Sequence, residues 1–502
     1  MYKKLSAKFF VISVFLLTFI ASIMVLLDFF IVNIPALLCV IFAVLAVTAD
    51  VFYCLKAKGL TRKIGLSVFT AFFQIIILFF ALLWPYWNSR VFKHGRRPDS
   101  PSYNSYLSQK EALEDLDYVW HYLNKIHPAM LDKKGDEYKR VKVAYENQRA
   151  KITSSEKITV NEMARAVERT LSVLRDAHTA ASPRYTEPLF YKEVQHVNDS
   201  VFCFHGINGL SYQELLAQKS DLFSYEKEAW AIIDVADYSI RTDMLDYMEI
   251  DISDGITYIL KSDDGTIKEQ KALPYEFVTI EEYKKYNENE KQAAEDTENT
   301  SFVYYTIDDE HSLAVLTLKS CRNNDEYKDC LKKMFEEVKA KEIKNIAVDL
   351  RGNGGGSSLV INNFFKYLDI DDYCETSYAA RLGPFIIGHK IPVTKNKRVS
   401  EDLLFNGKVF VLTSESSFSS AMMFPQYVKD NGIGKIIGET PANDPNGYGD
   451  VVNFSLPNSK IFMQISYKKF LRINQDTTEK YVEPDYPCNA DEVMEKLYEL
   501  IN

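Results

Sequence analysis

The feature that most constrains this fold is a regular alternation of strand-like and helix-like segments through residues 311–438. Short apolar runs rich in β-branched residues are followed by turns and then by segments whose apolar residues recur at helical spacing. The predicted elements are strand 311–319, helix 325–341, strand 345–350, helix 359–368, strand 408–413, helix 419–430 and strand 435–438. Strands that alternate with helices pair in parallel, so we predict an α/β core.

Glycines dominate the first unusual strand-to-helix turn, Asp349–Ser358 (DLRGNGGGSS). A phosphate-binding loop would require a Gly-Lys-Ser/Thr ending, and a dinucleotide-binding turn that starts at Gly352 would require glycine in place of Ser357. Neither nucleotide motif is therefore present. Glycine also serves a tight structural turn, because it tolerates positive φ. Three consecutive glycines nevertheless favour a nest of backbone amides that can bind an oxyanion.

Serines dominate the second turn, which lies within Lys408–Tyr427 (KVFVLTSESSFSSAMMFPQY). They are Ser416, Ser417, Ser419 and Ser420. Serine caps helices well, because its side chain accepts a hydrogen bond from an amide of the first turn. Four serines exceed the need for caps, so one of them is also a candidate nucleophile, which would require a general base from another part of the chain.

His178 is the candidate for that base among eight histidines, because it leaves a predicted helix within Leu174–Thr179 (LRDAHT). Neighbouring polar side chains in this motif can orient an imidazole, although a structural histidine is the alternative. The sequence contains no HExxH motif and no cluster of His, Cys and acidic residues with metal-ligand spacing. We therefore expect neither a metal nor another cofactor.

The charge balance differs between the start of the chain and the rest. The first 97 residues contain eleven Lys and Arg against Asp28 and Asp50, a balance of +9, whereas the remainder has 48 basic and 67 acidic residues, a balance of −19. Such an acidic part argues against nucleic acid as a partner, because phosphate binding requires a basic surface. No CxxC is present, and a disulfide between Cys321 and Cys330 stays open.

Three apolar stretches, Phe9–Leu27, Ile31–Leu55 and Ile64–Tyr86, dominate the start of the chain. Each can cover a hydrocarbon core of about 30 Å, which requires about 20 helical residues. A cleaved signal peptide would have a single, shorter apolar segment. We therefore predict three transmembrane helices that anchor the protein in a lipid bilayer. Asp50 fits an anchor without further function least well, because an ionisable residue within a membrane span is costly and usually has a functional role.

The basic residues around these stretches predict an orientation. Lys3, Lys4 and Lys8 precede the first stretch, Lys56, Lys58, Arg62 and Lys63 separate the second from the third, and the loop near Asp28–Asn33 contains no Lys or Arg. The N-terminus is therefore predicted to be cytoplasmic and the long part after Tyr86 extracytoplasmic. Arg90, Lys93, Arg96 and Arg97 oppose this prediction, but a long domain is translocated largely regardless of charge.

The sequence divides into five parts. They are a membrane anchor at 1–88, a linker at 89–108, a helical subdomain at 109–184, a β-containing module with a polar excursion at 185–300, and an α/β core at 301–502. Helices are predicted at 109–126, 136–153 and 159–174, and further strands at 451–456, 460–467 and 481–487.

Six short motifs follow one another in the soluble part. They are LRDAHT, DLRGNGGG, FSSA, GET at 438–440, LPNS at 456–459 and PD at 484–485. Together they resemble the C-terminal-processing, or tail-specific, serine peptidases over roughly residues 109–488. In the tail-specific branch a lysine downstream of the serine acts as base, but the corresponding stretch here, Thr440–Asp450, contains no lysine. The chain is therefore similar to the branch of the tricorn core peptidase, which uses histidine.

The resemblance implies roles for individual residues. Ser419 resembles the nucleophile, His178 the base, and Gly356 with the amide of Ser420 the oxyanion hole. Glu479 is the nearest match to the acid that orients the base, with its register one position off. The resemblance also implies a crotonase-like ββα spiral core and a divergent PDZ-like module between the histidine and the serine, of which residues 201–210 look like a piece.

These expectations combine into one functional hypothesis. The chain is predicted to be a membrane-anchored serine endopeptidase that hydrolyses a peptide or protein substrate through an acyl-enzyme, without a cofactor. The alternative is a catalytically inactive surface protein of the same fold that binds peptides or lipophilic ligands. Met422, where the family often has glutamate, and the absent lysine keep this alternative open.

Overall fold

The architecture was determined from a computed structural model of the chain. The structure describes residues 6–29, 36–85, 99–183, 185, 188–191, 196–197, 200–262, 265–285, 301–390 and 393–502. Most of the predicted loop near Asp28–Asn33, half of the linker and most of the polar excursion lie outside these residues.

Three N-terminal helices, α1 (Ala7–Phe29), α2 (Ala36–Lys56) and α3 (Leu60–Leu78), correspond to the three apolar stretches. A single π-helical turn, Phe79–Leu83, extends α3. All three are long and apolar enough to cross a membrane. Small residues, among them Ala21, Ala43 and Ala46, are buried between the helices, as is common where transmembrane helices approach closely.

The three helices predicted between residues 109 and 174 are present. The elements of this region are β1 (Tyr106–Ser108), which lies at the end of the predicted linker, α4 (Gln109–Ile126), α5 (Asp136–Thr153), β2 (Lys157–Thr159), α6 (Val160–Leu171) and β3 (Ala180–Ser182). Ser108 with Glu111 and Thr159 with Glu162 form capping boxes that fix the starts of α4 and α6, because each pair satisfies two amides of a first turn. The segment between α6 and β3 contains His178.

The middle module contains β-strands, as predicted, and also three helices that the sequence analysis did not identify. Its elements are β4 (Leu189–Tyr191), β5 (His196–Val197), β6 (Ser200–Ile207), β7 (Leu210–Ser211), α7 (Tyr212–Lys219), α8 (Glu228–Ser239), α9 (Thr242–Tyr247), β8 (Ile256–Ser262), β9 (Ile267–Ala272) and β10 (Phe277–Thr279). One apolar core joins this module to the helical subdomain, for example through Leu116, Met163 and Tyr258.

The core alternates strands and helices as predicted. Its strands are β11 (Val303–Asp308), β12 (Leu313–Leu318), β13 (Asn345–Asp349), β14 (Asp372–Tyr373), β15 (Ser377–Leu382), β16 (Phe385–His389), β17 (Thr394–Lys395), β18 (Lys408–Thr413), β19 (Lys435–Gly438), β20 (Tyr448–Ser455), β21 (Phe462–Leu471) and β22 (Tyr486–Pro487). Its helices are α10 (Asp325–Ala340), α11 (Leu359–Phe365), α12 (Ser420–Asp430) and α13 (Val493–Ile501).

Six of these strands form one sheet in the order β11-β12-β13-β18-β19-β22. All neighbours are parallel except β11, which runs antiparallel to β12 at the edge. Helices α10, α11 and α12 pack on one face and α13 on the other. The glycine turn after β13 and the serine turn after β18 follow neighbouring parallel strands, so both turns lie at the same edge of the sheet.

A second, antiparallel sheet has the order β16-β15-β21-β20, with β3 paired to β21. It connects the helical subdomain to the core, because Ala180–Ser182 pairs with residues of β21. The start of β20 and the end of β21 lie beside His178 and Ser419 and form a wall of the cavity described below. Neither Cys321 nor Cys330 is in a disulfide, so they do not form the bond that the spacing allowed.

Candidate active site

Ser419 lies between β18 and α12 in a backbone conformation that a residue with a side chain rarely adopts. Its φ is 56° and its ψ is −121°. Such a conformation costs on the order of 1–3 kcal/mol and persists only where the surroundings hold it. Asn443 provides this support, because its Oδ1 accepts a hydrogen bond of 2.8 Å from the Ser419 N–H.

The other three serines of the turn make hydrogen bonds with their hydroxyl groups. Ser416 Oγ lies 3.0 Å from the Oγ of Ser414, Ser417 Oγ donates to the Leu350 carbonyl at 2.8 Å, and Ser420 Oγ donates to the Gly356 carbonyl at 3.0 Å. Within the described part of the chain, only the Ser419 hydroxyl of these four makes no hydrogen bond. It is partly exposed and faces a cavity.

Two glycines bring the glycine-rich turn into contact with the serine turn. Gly355 has a φ of +96°, and a Cβ at this position would lie 2.7 Å from both the Phe418 carbonyl oxygen and Ser419 Cβ. Gly356 has a φ of +140°, and a Cβ there would lie 2.5 Å from the Cys321 carbonyl oxygen. Both the backbone conformation and the close approach therefore require glycine.

The backbone N–H groups of Gly356 and Ser420 are free donors. Neither donates a hydrogen bond in the part of the chain that the structure describes. Ser420 is the first residue of α12, so its N–H has no partner within the helix. Both residues line the cavity that the Ser419 hydroxyl faces. Two free amides in this position can bind a negatively charged oxygen.

The His178 ring lies against the residue that precedes Ser419. The ring centroids of His178 and Phe418 are 4.6 Å apart at an interplanar angle of 28°, and Phe418 stacks on Trp230 at 4.1 Å. Burial lowers the pKa of His178, against the opposing effects of the Asp176 and Asp450 charges and of a hydrogen bond to the Tyr448 backbone. The imidazole is therefore neutral near neutral pH and can accept a proton.

Asp176 is the carboxylate next to this ring. Its Oδ1 lies 3.9 Å from His178 Nδ1 and accepts a hydrogen bond of 2.9 Å from the His178 N–H. Its Oδ2 lies 3.2 Å from His127 Nε2. His127 Nδ1 accepts a hydrogen bond of 3.3 Å from the Ala129 N–H, which makes Nε2 the nitrogen that donates to Asp176. Burial raises the pKa of Asp176, but the hydrogen bond and charge of His127 outweigh burial and hold this pKa below its usual value.

Glu226, from the middle module, brings a second carboxyl group to the same place. The side-chain ligand atoms of Asp176, His178 and Glu226 all lie within 4.8 Å of one another. Burial and the charge of Asp176 raise the pKa of Glu226 well above its usual value, so this group favours the neutral form. Among the described residues, this is the group whose spacing could hold a metal ion. The sequence analysis expected no such cluster, because Glu226 is remote from the other two in sequence.

The structure brings together four of the five predicted site residues. His178, Gly356, Ser419 and Ser420 line one cavity of about 370 Å³. This grouping follows from the topology, since the two turns lie at one sheet edge and β3 carries the histidine segment to β21.

Lys468 also lines this cavity, so it must be considered as a base. Its Nζ lies 2.6 Å from Asp450 Oδ2. Burial lowers the pKa of Lys468, but the hydrogen bond and charge of Asp450 outweigh burial and raise the pKa above its usual value. The ammonium group therefore stays protonated and cannot accept a proton from the serine.

Glu479, the fifth predicted residue, is not among the residues that line the cavity. Its carboxylate oxygens lie 2.7 Å from Lys429 Nζ and 3.0 Å from an Arg472 nitrogen. Arg472 also pairs with the buried Asp430 at 3.0 Å. The position of Glu479 thus differs from that expected for an acid that orients His178. Asp176 is the carboxylate nearest to His178 Nδ1 that we describe above, at 3.9 Å, and Nδ1 makes no hydrogen bond among the described residues.

Comparison with known proteins identifies the family of the core. Residues 312–488 match the family described as peptidase family S41. The chain contains a peptidase family S41 domain. This membership makes it a serine peptidase. No curated protein sequence matches the chain.

Solved structures of CPAF share the fold of this S41 peptidase. A mutant of CPAF aligns with a TM-score of 0.57 at 13% identity, covering 78% of this chain and 95% of that chain. Mature CPAF aligns with a TM-score of 0.54 at 14% identity, covering 78% and 96%. Mature CPAF complexed with lactacystin gives 0.53 at 14% identity, covering 78% and 97%. The shared fold therefore extends well beyond the S41 domain itself.

The sequence analysis did not identify several residues around the S41 site. They are His127, Glu226, Trp230, Gln426, Asn443 and Lys468. None belongs to a short motif with a mechanism attached to it. The LRDAHT motif, however, contained a usable signal for Asp176, because an aspartate two residues before a histidine can bond that histidine's backbone amide.

Proposed function

We propose that the chain is a serine endopeptidase in which Ser419 is the nucleophile and His178 the general base. The observation that carries this proposal is the conformation of Ser419, which is strained, has an unbonded hydroxyl group and faces the cavity that also contains His178. Strain of this kind is retained where a turn must present a reactive side chain.

In the proposed reaction, Ser419 Oγ forms a bond to the carbonyl carbon of the substrate while His178 takes the hydroxyl proton. The proton then passes to the leaving amine as the peptide bond breaks. Water hydrolyses the resulting acyl-enzyme by the same route. His178 Nδ1 lies on the side of Asp176, so Nε2 is the nitrogen assigned to the serine.

Asp176 is proposed to stabilise the imidazolium that forms when His178 takes the proton. Its ionised form is maintained by His127, and its Oδ1 is held by the His178 N–H. A fixed negative charge 3.9 Å from His178 Nδ1 favours the imidazolium form of this ring in the transition state. Glu479 is proposed to act on stability instead, through its ion pairs with Lys429 and Arg472.

The amides of Gly356 and Ser420 are proposed to bind the oxyanion that develops on the substrate carbonyl. One such donor typically contributes about 3–4 kcal/mol to transition-state stabilisation. The N-terminal end of α12 adds a favourable partial charge at the same place.

We further propose that the three N-terminal helices are transmembrane and place the soluble part outside the cell membrane, as the basic loops predict. Cys203 is exposed and can report this orientation. An impermeant maleimide should label Cys203 in intact cells. In the control variant Cys203→Ser, the peptide that contains residue 203 should carry no label. Labelling that appears only after permeabilisation would reverse the orientation.

We propose that the core contains a crotonase-like ββα spiral and that the middle module is a divergent PDZ-like substrate-binding unit. The contribution of Glu226 and Trp230 to the surroundings of His178 supports a role of this module near the substrate. A PDZ-like function predicts a lower KM for a peptide with a free C-terminal carboxylate than for its C-terminal amide. Equal KM values would reject this role.

We retain the domain division predicted from the sequence, 1–88, 89–108, 109–184, 185–300 and 301–502. Limited proteolysis of the full chain should cut first within 89–108 and 281–300. First cuts inside helices of the core would reject these boundaries.

The catalytic proposal is tested with the full chain in lipid nanodiscs and a fluorophosphonate probe. Wild type should be labelled, and both Ser419→Ala and His178→Ala should lose the label. Ser416→Ala is the matched control, because it removes a hydroxyl from the same turn, and it should retain the label. A correctly folded wild type that is never labelled would support the inactive binding protein.

A further inference from the structure

Gln426 has a fully buried side chain whose amide makes no hydrogen bond. Its exposed fraction is 0%, and within the described part of the chain neither Oε1 nor Nε2 has a partner. An unpaired buried amide is costly, so most buried polar groups in native proteins are paired. Gln426 has no catalytic role in the mechanism above, and its unpaired amide therefore requires another explanation.

The position of Gln426 connects it to the proposed nucleophile. Both residues line the same cavity. Gln426 is the seventh residue of α12, which begins at Ser420 immediately after Ser419, so its Cα lies about 9 Å along the helix axis from Ser420 at 1.5 Å per residue. Helical side chains lean toward the N-terminus, so the Gln426 side chain leans toward the end of α12 at which Ser419 lies.

The α12 residues around this amide carry no charge, and Glu375 lines the cavity next to Thr376. Met422, Met423 and Tyr427 line the same cavity from the same helix face, and Thr376 lines it from the segment before β15. Thr376 Oγ1 is also buried without a hydrogen-bond partner of good geometry. We define these four residues and Gln426 as the amide pocket. Because the unpaired Gln426 amide requires a partner that both donates and accepts a hydrogen bond, the pocket suits a neutral polar side chain.

We propose that the amide pocket selects a glutamine or asparagine side chain next to the cleaved bond. The inference rests on the proposed function of Ser419, since it concerns the substrate of that site. A carboxamide offers both a donor and an acceptor, as Gln426 does. The Nε2 of Gln426 donates to the substrate's amide oxygen, and its Oε1 accepts from the substrate's amide nitrogen.

An apolar side chain of the same size would leave Gln426 unpaired. A site built to form hydrogen bonds rejects an isostere that cannot form them. We expect a carboxamide to be favoured over leucine by on the order of 10–100-fold in kcat/KM, as two neutral hydrogen bonds would give.

The test compares wild type with Gln426→Met in full-length chains in lipid nanodiscs. Methionine keeps the length of the side chain and removes its polar atoms. Each protein digests a mixture of peptides derived from a denatured proteome, and mass spectrometry counts the residues on both sides of every cleaved bond. Wild type should show glutamine or asparagine enriched about 10-fold or more at one flanking position. The variant should lose this enrichment and prefer methionine or leucine.

Two measurements separate substrate selection from a structural role of Gln426. The melting temperature of Gln426→Met should equal or exceed that of wild type, because the substitution removes an unpaired buried amide. Gln148→Met changes a buried glutamine of α5 that does not line the cavity, and it should leave the cleavage profile unchanged. A profile that is the same in wild type and Gln426→Met overturns the inference.

Wild type alone also tests the inference, with two peptides that differ only by glutamine or leucine at the enriched position. Equal kcat/KM values for the two peptides overturn the inference. If Ser419 is still labelled by the fluorophosphonate in that case, the proposed function stands. A wild type that neither cleaves nor takes the label overturns the proposed function and the inference together.

Discussion

Replacing Asp176 with asparagine tests whether the charge of Asp176 raises the pKa of His178, the proposed base. The Asp176 charge lies 3.9 Å from His178 Nδ1, where two unit charges interact by about 4 kcal/mol at an effective dielectric constant near 20. Asp450 continues to act on the ring in the variant, so we expect the pKa of His178 to fall, but by less than the loss of the full pair energy would give.

The sign of the effect on activity follows from the role of a base. His178 works in its neutral form, so kcat/KM rises as pH increases through the His178 pKa, which burial already holds below its ordinary value of 6.5. Loss of the negative charge lowers this pKa further and moves the acid limb of the profile to lower pH. At the plateau, kcat/KM should fall by about 10²–10⁴-fold, because the imidazolium loses its stabilising charge.

The assay is the pH dependence of kcat/KM for cleavage of a quenched fluorescent peptide by full-length enzyme in nanodiscs. Glu479→Gln is the matched control, because it removes the carboxylate that pairs with Lys429 and Arg472 instead of the one beside His178. The control should lower the melting temperature and leave the acid limb in place. An unchanged acid limb in Asp176→Asn, or a shifted one in Glu479→Gln, would refute this assignment of the orienting acid.

Two further predictions concern close packing and burial. Gly355→Ala should reduce kcat/KM at least 100-fold and lower the melting temperature, because its Cβ would lie 2.7 Å from Ser419 Cβ; wild-type activity would contradict the proposed contact of the two turns. Burial raises the pKa of Glu168 to about 7, so the folded chain loses stability as pH rises from about 5 to about 7. Glu168→Gln removes this loss and should raise the free energy of unfolding at pH 8.5 by roughly 1–3 kcal/mol relative to wild type, but hardly at pH 5. Denaturant unfolding of both proteins at both pH values measures the effect. The same variant-minus-wild-type difference at the two pH values would contradict it.

Local patterns predicted the core well because each segment has a clear hydrophobic periodicity and ends at recognisable turn residues. Strand 408–413 and strand 435–438 were predicted with the bounds that the structure has, and helix 419–430 begins only one residue later, at Ser420. The glycine and serine turns were placed correctly between strand and helix, because glycine and serine have local conformational reasons to occur there. Ser419 was proposed as a candidate from the serine turn and His178 from the LRDAHT motif, in both cases together with the order of the motifs.

The middle module was harder to predict. Its three helices are short, and only buried residues contributed by the neighbouring subdomain complete their core. Their stability depends on tertiary packing more than on local propensity, so periodicity alone did not distinguish them.

The orienting acid was assigned to Glu479 from the order of motifs, whereas in the structure Asp176 lies beside His178. The assignment could not be made from sequence, because both residues are acidic and each lies near one predicted motif. The two acids differ in the side chains with which they pair. Lys429 and Arg472 pair with Glu479, and His127 pairs with Asp176 from another helix. Such long-range partners leave no trace in local spacing.

The location of the covalent adduct tests the central claim most directly. Full-length protein is treated with the fluorophosphonate, digested, and analysed by tandem mass spectrometry across the peptide that contains all four turn serines. The account predicts that the adduct lies on Ser419 and that its formation depends on pH with an acid limb below about 6.5. An adduct on Ser416, Ser417 or Ser420, or no adduct on a folded protein, would contradict it.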